Sequence, residues 1–127
     1  MDATAIIEDA WLRPLVERFY TRVRADPLLA PVFAEAVLDW TDHHRRLTDF
    51  WSSVMLTTGR YKGNPVTLHL RHADALTPER FDRWLELWRQ TSDEMLPPAA
   101  ASAVQAKAER IAESLLLAIR YRRPAAA

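Results

Sequence analysis

Thr57 to Asp74 reads TTGRYKGNPVTLHLRHAD, and it holds both glycines of the 127-residue chain, Gly59 and Gly63. Glycine reaches positive φ without steric cost, so we read Thr57 to Pro65 as an irregular loop and the rest of the chain as elements that rarely need such a conformation. Asn64 is a suitable N-cap and Pro65 a suitable first helical residue, because the N–H that proline lacks has no partner at that position. The segment from Val66 to Asp74 then gives about two turns of helix, with His69 and His72 three apart on one side. A helix this short is marginal alone and needs something to pack on.

Downstream, Thr77 and Pro78 cap and start the clearest helix, with Phe81, Trp84, Leu85, Trp88, Met95 and Leu96 along one face until Pro97 and Pro98 break it. A last helix is predicted from about Ala99 to Tyr121, with Val104, Ala108, Ile111, Leu115 and Ile119 inward. Arg120, Arg122 and Arg123 stand at its C-terminal end, where the helix dipole favours cations. Upstream, Asp39 or Thr41 caps a helix that carries Trp40, His43, Leu47, Phe50, Trp51 and Val54 on one stripe and ends near Gly59. His44, about 100° further round, joins Arg45 and Arg46 toward solvent or the mouth of a pocket. Pro27 to Phe33 is split by Pro31 and reads as a turn or a few residues of tight helix, with Phe33 near the core. From about Pro14, the residues Leu15, Val16, Phe19, Tyr20 and Val23 keep helical spacing until Asp26, where Pro27 stops them. Ile6, Ile7, Ala10 and Trp11 suggest a short first helix. The expectation is one all-α domain over 1–127 with its core at about 14–122, the first short helix and the alanine tail being peripheral.

Composition narrows the functions. Seventeen basic and seventeen acidic side chains cancel, so charge gives no reason to expect nucleic acid or an anionic membrane as partner. With no cysteine, disulfides, thiolate-bound zinc, iron–sulfur clusters and thiol catalysis are excluded, which fits a cytoplasmic location. The start MDATAIIEDAWL has acids where a signal peptide has basic residues, and no apolar run approaches the ~18 residues of a membrane span, so a soluble, unprocessed chain is expected. H-E-x-x-H, a Glu-x-x-His pair on two helices, G-x-S-x-G and phosphate-binding glycine loops are all absent.

A short helix carrying a histidine can be held by a flat apolar cofactor whose metal takes an imidazole nitrogen, and haem has that shape and ligand preference. His69 is then the candidate ligand and His72 the alternative; the plainer reading is two ordinary histidines on a helix surface. Tyr20, His43 and Trp84 lie on stripes otherwise given to the core, and each brings a donor that needs a partner if buried. Singly they read as satisfied core residues. Together, with a histidine on a short helix, they suggest a site opposite a metal. A phenol and an indole suit hydrogen bonding to a small ligand better than acid–base turnover. Arg60, Tyr61 and Lys62 either clasp carboxylates such as haem propionates or are solvated surface.

LVERFYTRVRADPLLAPVF (Leu15 to Phe33), WTDHHRRLTDFWSSVMLTTGRYKGNP (Trp40 to Pro65), a histidine four residues after that proline, and FDRWLELW (Phe81 to Trp88) carry a family likeness in their order and spacing. The chain resembles the truncated haemoglobins, in particular the third, bacterial group, whose fold is a two-over-two helical sandwich around a haem. The resemblance implies haem b, His69 as proximal ligand, Tyr20 and His43 as distal residues, and Trp84 reaching the bound ligand. It also implies that Phe33, Leu47, Phe50 and Trp51 wall the pocket. Dioxygen, carbon monoxide or nitric oxide would be the ligands, for oxygen transport or nitric oxide handling, with an external reductase where turnover is needed. Peroxidase chemistry at ferric haem is an alternative, and a haem-free helical interaction module is an alternative of another class. Two departures stand out: His72 is a competing ligand, and the interval from His69 to Trp84 is a residue longer than the family pattern, which leaves the register of the short helix open.

Overall fold

A computed structural model describes residues 6–122. A 3₁₀ turn, Asp9–Trp11, runs directly into α1 (Leu12–Ala25); then follow α2 (Ala30–Ala36), α3 (Trp40–Leu56), α4 (Pro65–Leu70), α5 (Pro78–Met95) and α6 (Pro98–Arg120). There is no strand among the described residues. The short first helix is therefore this 3₁₀ turn continuous with α1, while Arg123 and the alanine tail lie outside the described residues.

Local chemistry sets most of the boundaries. The Asp39 carboxylate accepts from the Asp42 amide at 3.2 Å, Asn64 from Thr67 at 3.2 Å and Thr77 from Arg80 at 3.3 Å, each supplying an acceptor to a first turn that has none of its own. Two expectations need correcting. Pro31 does not split its segment: it occupies the first turn of α2, where a missing N–H costs nothing. And α3 ends at Leu56, before Gly59, because Thr57 takes the left-handed conformation (φ 55°) and its amide closes the helix on the Ser53 carbonyl at 3.0 Å.

Helix α1 packs on both α3 and α5, and α5 packs on α6, so the pairs α1/α3 and α5/α6 meet through the α1–α5 contact. Leu12, Leu15, Val16, Phe19 and Val23 of α1 are wholly buried. Trp88 of α5 lies at the centre. It stacks on Trp51 at 4.4 Å between ring centroids, takes the Phe19 ring edge-on at 4.9 Å, and donates its indole N–H to the Val104 carbonyl at 3.1 Å. On α6 the buried face is Ala100, Ala101, Val104, Ala108, Ala112 and Leu115; Ile111 and Ile119 are half-buried, and Met95 at the end of α5 is exposed. Small side chains on α6 leave room for the tryptophans of α5.

Helix α4 rests on α6. It is shorter than the two turns predicted: after Leu70 the backbone tightens, with the amides of His72, Ala73, Ala75 and Leu76 each bonding three residues back.

Candidate functional site

Tyr20 projects from α1 beneath α3 and is 4 % exposed. Its ring lies within 5.8 Å of the rings of Phe19, Phe33, Trp40 and His43. Burial pushes its hydroxyl up to about 12, the Trp84 indole pulling the other way, so the phenol keeps its proton throughout the neutral range. Trp84 is half-buried; it lies parallel to Trp88 at 6.1 Å and edge-on to Phe19 at 5.4 Å. Phe19 and Trp88 thus hold Trp84 in orientation while its indole faces Tyr20.

His43, from the first turns of α3, sits edge-on to Trp40 at 5.3 Å and to Tyr20 at 5.7 Å. Burial lowers its pKa to about 4, helped by His44, Arg46 and His69 and opposed by Asp42, so the ring is neutral near pH 7. His43 and His69 are therefore close enough to sense each other's charge although they stand on different helices. His44 does not point to solvent with Arg45 and Arg46: its Nε2 is buried without a hydrogen-bond partner, and its ring lies 6.4 Å from Tyr20 and 5.6 Å from Trp40. Arg45 and Arg46 are exposed and pair with Asp42 at 2.6 Å and 2.8 Å.

His69 stands in the last turn of α4, half-buried, with Nδ1 2.6 Å from the Pro65 carbonyl. A carbonyl only accepts, so Nδ1 carries the proton and Nε2 keeps a free lone pair. Burial lowers the pKa, with His72 adding to the effect and the Pro65 carbonyl opposing it. A neutral imidazole with its far nitrogen fixed by a backbone carbonyl is the form in which histidine binds a metal. His72 is placed elsewhere: it lines a surface cleft of about 250 Å³ with Glu35, Arg71, Asp74 and Arg122.

Phe33, Leu47, Phe50 and Trp84 pack against the main core but stay only partly covered, as do Trp40 and Val54. These residues offer an apolar wall of the kind a porphyrin face covers, and together with the His69 donor they fit haem. Trp51 is set back from that wall; it is 2 % exposed and stacked on Trp88. Arg60 is not directed to a cofactor carboxylate, because its guanidinium engages Asp9 at 2.8 Å and 2.9 Å and the Ser52 hydroxyl at 3.2 Å. Tyr61 packs edge-on against Phe50 at 5.3 Å, and Lys62 is exposed.

The sequence reading passed over two contributors. Trp40 figures there only as one position of a stripe, though it touches Tyr20, Phe33, His43 and His44; its place three and four residues before the paired histidines was the available signal. Asp26, buried beyond the end of α1, accepts from Arg83 at 2.8 Å and from the amides of Leu28 and Leu29 at 3.1 Å. It joins the helix of Tyr20 to that of Trp84, and only the Pro27 that follows marked the spot.

No helix among the described residues is long and apolar enough to cross a membrane. The bacterial-like globin family model matches residues 5–115. The chain is 29 % identical over 102 residues to the group 3 truncated haemoglobin ctb of Campylobacter jejuni, covering 77 % of this chain and 80 % of that protein. The crystal structure of a group III truncated haemoglobin from Campylobacter jejuni superposes with a TM-score of 0.80 at 28 % identity, over 94 % of this chain and 96 % of the other. The helical sandwich, the apolar wall and the match over nearly the whole length agree: this chain belongs to the bacterial-like globins, has the all-α truncated globin fold, and binds small ligands through haem.

Proposed function

We propose that the chain holds haem b through His69 and reversibly binds dioxygen, carbon monoxide or nitric oxide in the space lined by Tyr20, His43 and Trp84. The observation that carries this reading is the imidazole of His69, proton on Nδ1 and lone pair on Nε2, on a short helix and near enough to His43 to affect its charge, beside apolar residues of α2, α3 and α5 that stay half-covered. When bound, the haem iron supplies the coordination position for a diatomic ligand and, if ferrous, the electron density that makes the ligand a hydrogen-bond acceptor.

The chain's own residues do the rest. Pro65 fixes the tautomer and orientation of His69. Tyr20 stays protonated and donates toward the ligand from a dry position, where a hydrogen bond counts for more than in water. The Trp84 indole is a second donor, held by Trp88 and Phe19. Phe33, Leu47 and Phe50 exclude water. His43, lowered to about 4 by burial, is neutral near pH 7 and offers one ring N–H and one lone pair beside the ligand. Oxygen transport and nitric oxide oxidation both fit this site, the second with an external reductase.

Absorption spectra of the ferric, ferrous and carbon monoxide forms test the reading. A Soret band is expected on expression or on adding haemin; a folded chain that stays colourless would favour a haem-free module. His69→Ala should lose haem or hold it weakly, and His72→Ala should keep it; the reverse would move the ligand to His72. Tyr20→Phe should speed dioxygen release by about ten-fold or more, as expected for losing a hydrogen bond to a charged acceptor. An unchanged release rate would remove Tyr20 from the role.

A further inference from the structure

Tyr20 is almost wholly buried, whereas Phe33, Trp40, His43 and His44 around it are each half-buried. Those four side chains form the layer between the Tyr20 ring and solvent, and Trp40 touches the other three, at 6.3 Å, 5.3 Å and 5.6 Å between centroids. Trp40 is also the first residue of α3, in the turn whose amides have no partner within the helix; the Asp39 cap satisfies Asp42, not Trp40. Its backbone is thus less restrained than that of His43, whose amide bonds the Asp39 carbonyl at 3.0 Å. One contact holds the indole from outside: the Arg24 guanidinium, from the last turn of α1, lies over its ring at 4.5 Å. Among the described residues no carboxylate pairs with Arg24, which leaves its charge to the ring face.

We propose that Trp40 is the door of the compartment beside Tyr20 and Arg24 its latch, small ligands passing where α3 begins, between the ends of α1 and α2. The idea rests on the haem reading. Opening breaks one cation–π contact and swings a helix-terminal side chain, while Tyr20 and Trp84 stay held by the core. The latch therefore governs how fast a ligand passes in either direction, and the Tyr20 hydrogen bond how strongly it is held once inside.

Arg24→Gln is the main variant, since Arg24 is exposed and its replacement leaves the fold intact; Trp40→Ala removes the door itself. Two measurements on the haem-loaded carbon monoxide form separate the outcomes: hydrogen exchange at the Trp40 indole N–H by NMR, and the association rates of carbon monoxide and of the bulkier n-butyl isocyanide after photolysis. Arg24→Gln should speed the Trp40 exchange and isocyanide association by about two- to five-fold, the range that losing one exposed cation–π contact allows. Trp40→Ala should raise isocyanide association and release together, each more than for carbon monoxide, because a door changes the barrier of passage and not the bound state. A red protein in which neither quantity moves with Arg24→Gln overturns the door while leaving the haem reading intact. Faster exchange without faster association also overturns it, as does faster association in His43→Leu but not in Trp40→Ala. A chain that takes up no haemin removes the haem reading and the door with it.

Discussion

Trp88 and Phe50 are aromatic residues on helical stripes of the same period, yet they end in different surroundings. Trp88 is wholly buried, with stacked, edge-on and hydrogen-bonded neighbours from α1, α3 and α6. Phe50 touches Trp51 on one side and Tyr61 on another and stays half-covered. The same holds regionally. Where α1, α5 and α6 meet, apolar side chains close on each other; Phe33 of α2, Leu47 and Phe50 of α3 and Trp84 of α5 stay only partly covered. The first region is closed by the chain's own residues, and the second leaves apolar surface that a porphyrin would cover.

Truncating each region should therefore fail differently. Trp88→Ala removes a large side chain from a filled core and should cost about 3–5 kcal/mol, with or without haemin, in chemical denaturation. Phe50→Ala should cost the haem-free chain much less and show itself mainly as faster transfer of haemin to an acceptor protein. Equal losses from the two variants in the haem-free chain would mean that the wall by α3 is ordinary core.

The seam between the regions can be probed at Asp26. Burial raises the pKa of its carboxyl, but Arg83 and the amides of Leu29 and Leu28 outweigh this and hold it below the ordinary 3.8. A carboxylate depressed in the folded state gives stability that is complete above its unfolded pKa and is lost as pH falls through the lower folded value. Asp26→Asn should thus cost roughly 1–3 kcal/mol near pH 7 and progressively less below about pH 4. Urea titrations at pH 7 and pH 3 check this, and an equal loss at both would remove the charge from the explanation. Because the pair ties α1 to α5, dioxygen release should rise slightly as Tyr20 and Trp84 lose register.

The two regions also differ in how far they could be read from the chain. Asp39, Asn64 and Thr77 announced their helices because capping acts over three residues, a range the sequence displays directly. His69 and Tyr20 stand out as candidates for a similar reason: a histidine on a helix too short to stand alone, and a phenol on a core stripe, are oddities of local pattern. Periodicity marked Trp40 and Trp51 alike as inward, and could not tell the residue at the pocket from the one behind it; that depends on which of them Trp88, 37 residues beyond Trp51, reaches. Pro31 was misread because a proline's effect depends on its position in a turn whose start no nearby cap advertised. Angle alone left His44 between solvent and the mouth of a pocket, and the packing of α1 on that side, which puts its ring near Tyr20 and Trp40, decides between them.

Arg60 is the sharpest case of this kind and carries the smallest expected effect. In the sequence it stands with Tyr61 and Lys62, between the helix of His43 and that of His69, where a cation could hold a cofactor carboxylate. Its guanidinium instead meets Asp9, 51 residues away in sequence, and the Ser52 hydroxyl, which also bonds Asp9 at 3.0 Å and Thr58 at 2.8 Å. Both members of the ion pair are about half exposed, the setting in which such pairs contribute little to stability. Arg60→Ala should leave haemin release unchanged and lower the melting temperature only marginally, its effect being faster amide exchange in the loop around Thr58 and Tyr61. Haemin released several-fold faster would mean that Arg60 leaves Asp9 for the cofactor when haem binds, and that the loop belongs to the pocket after all.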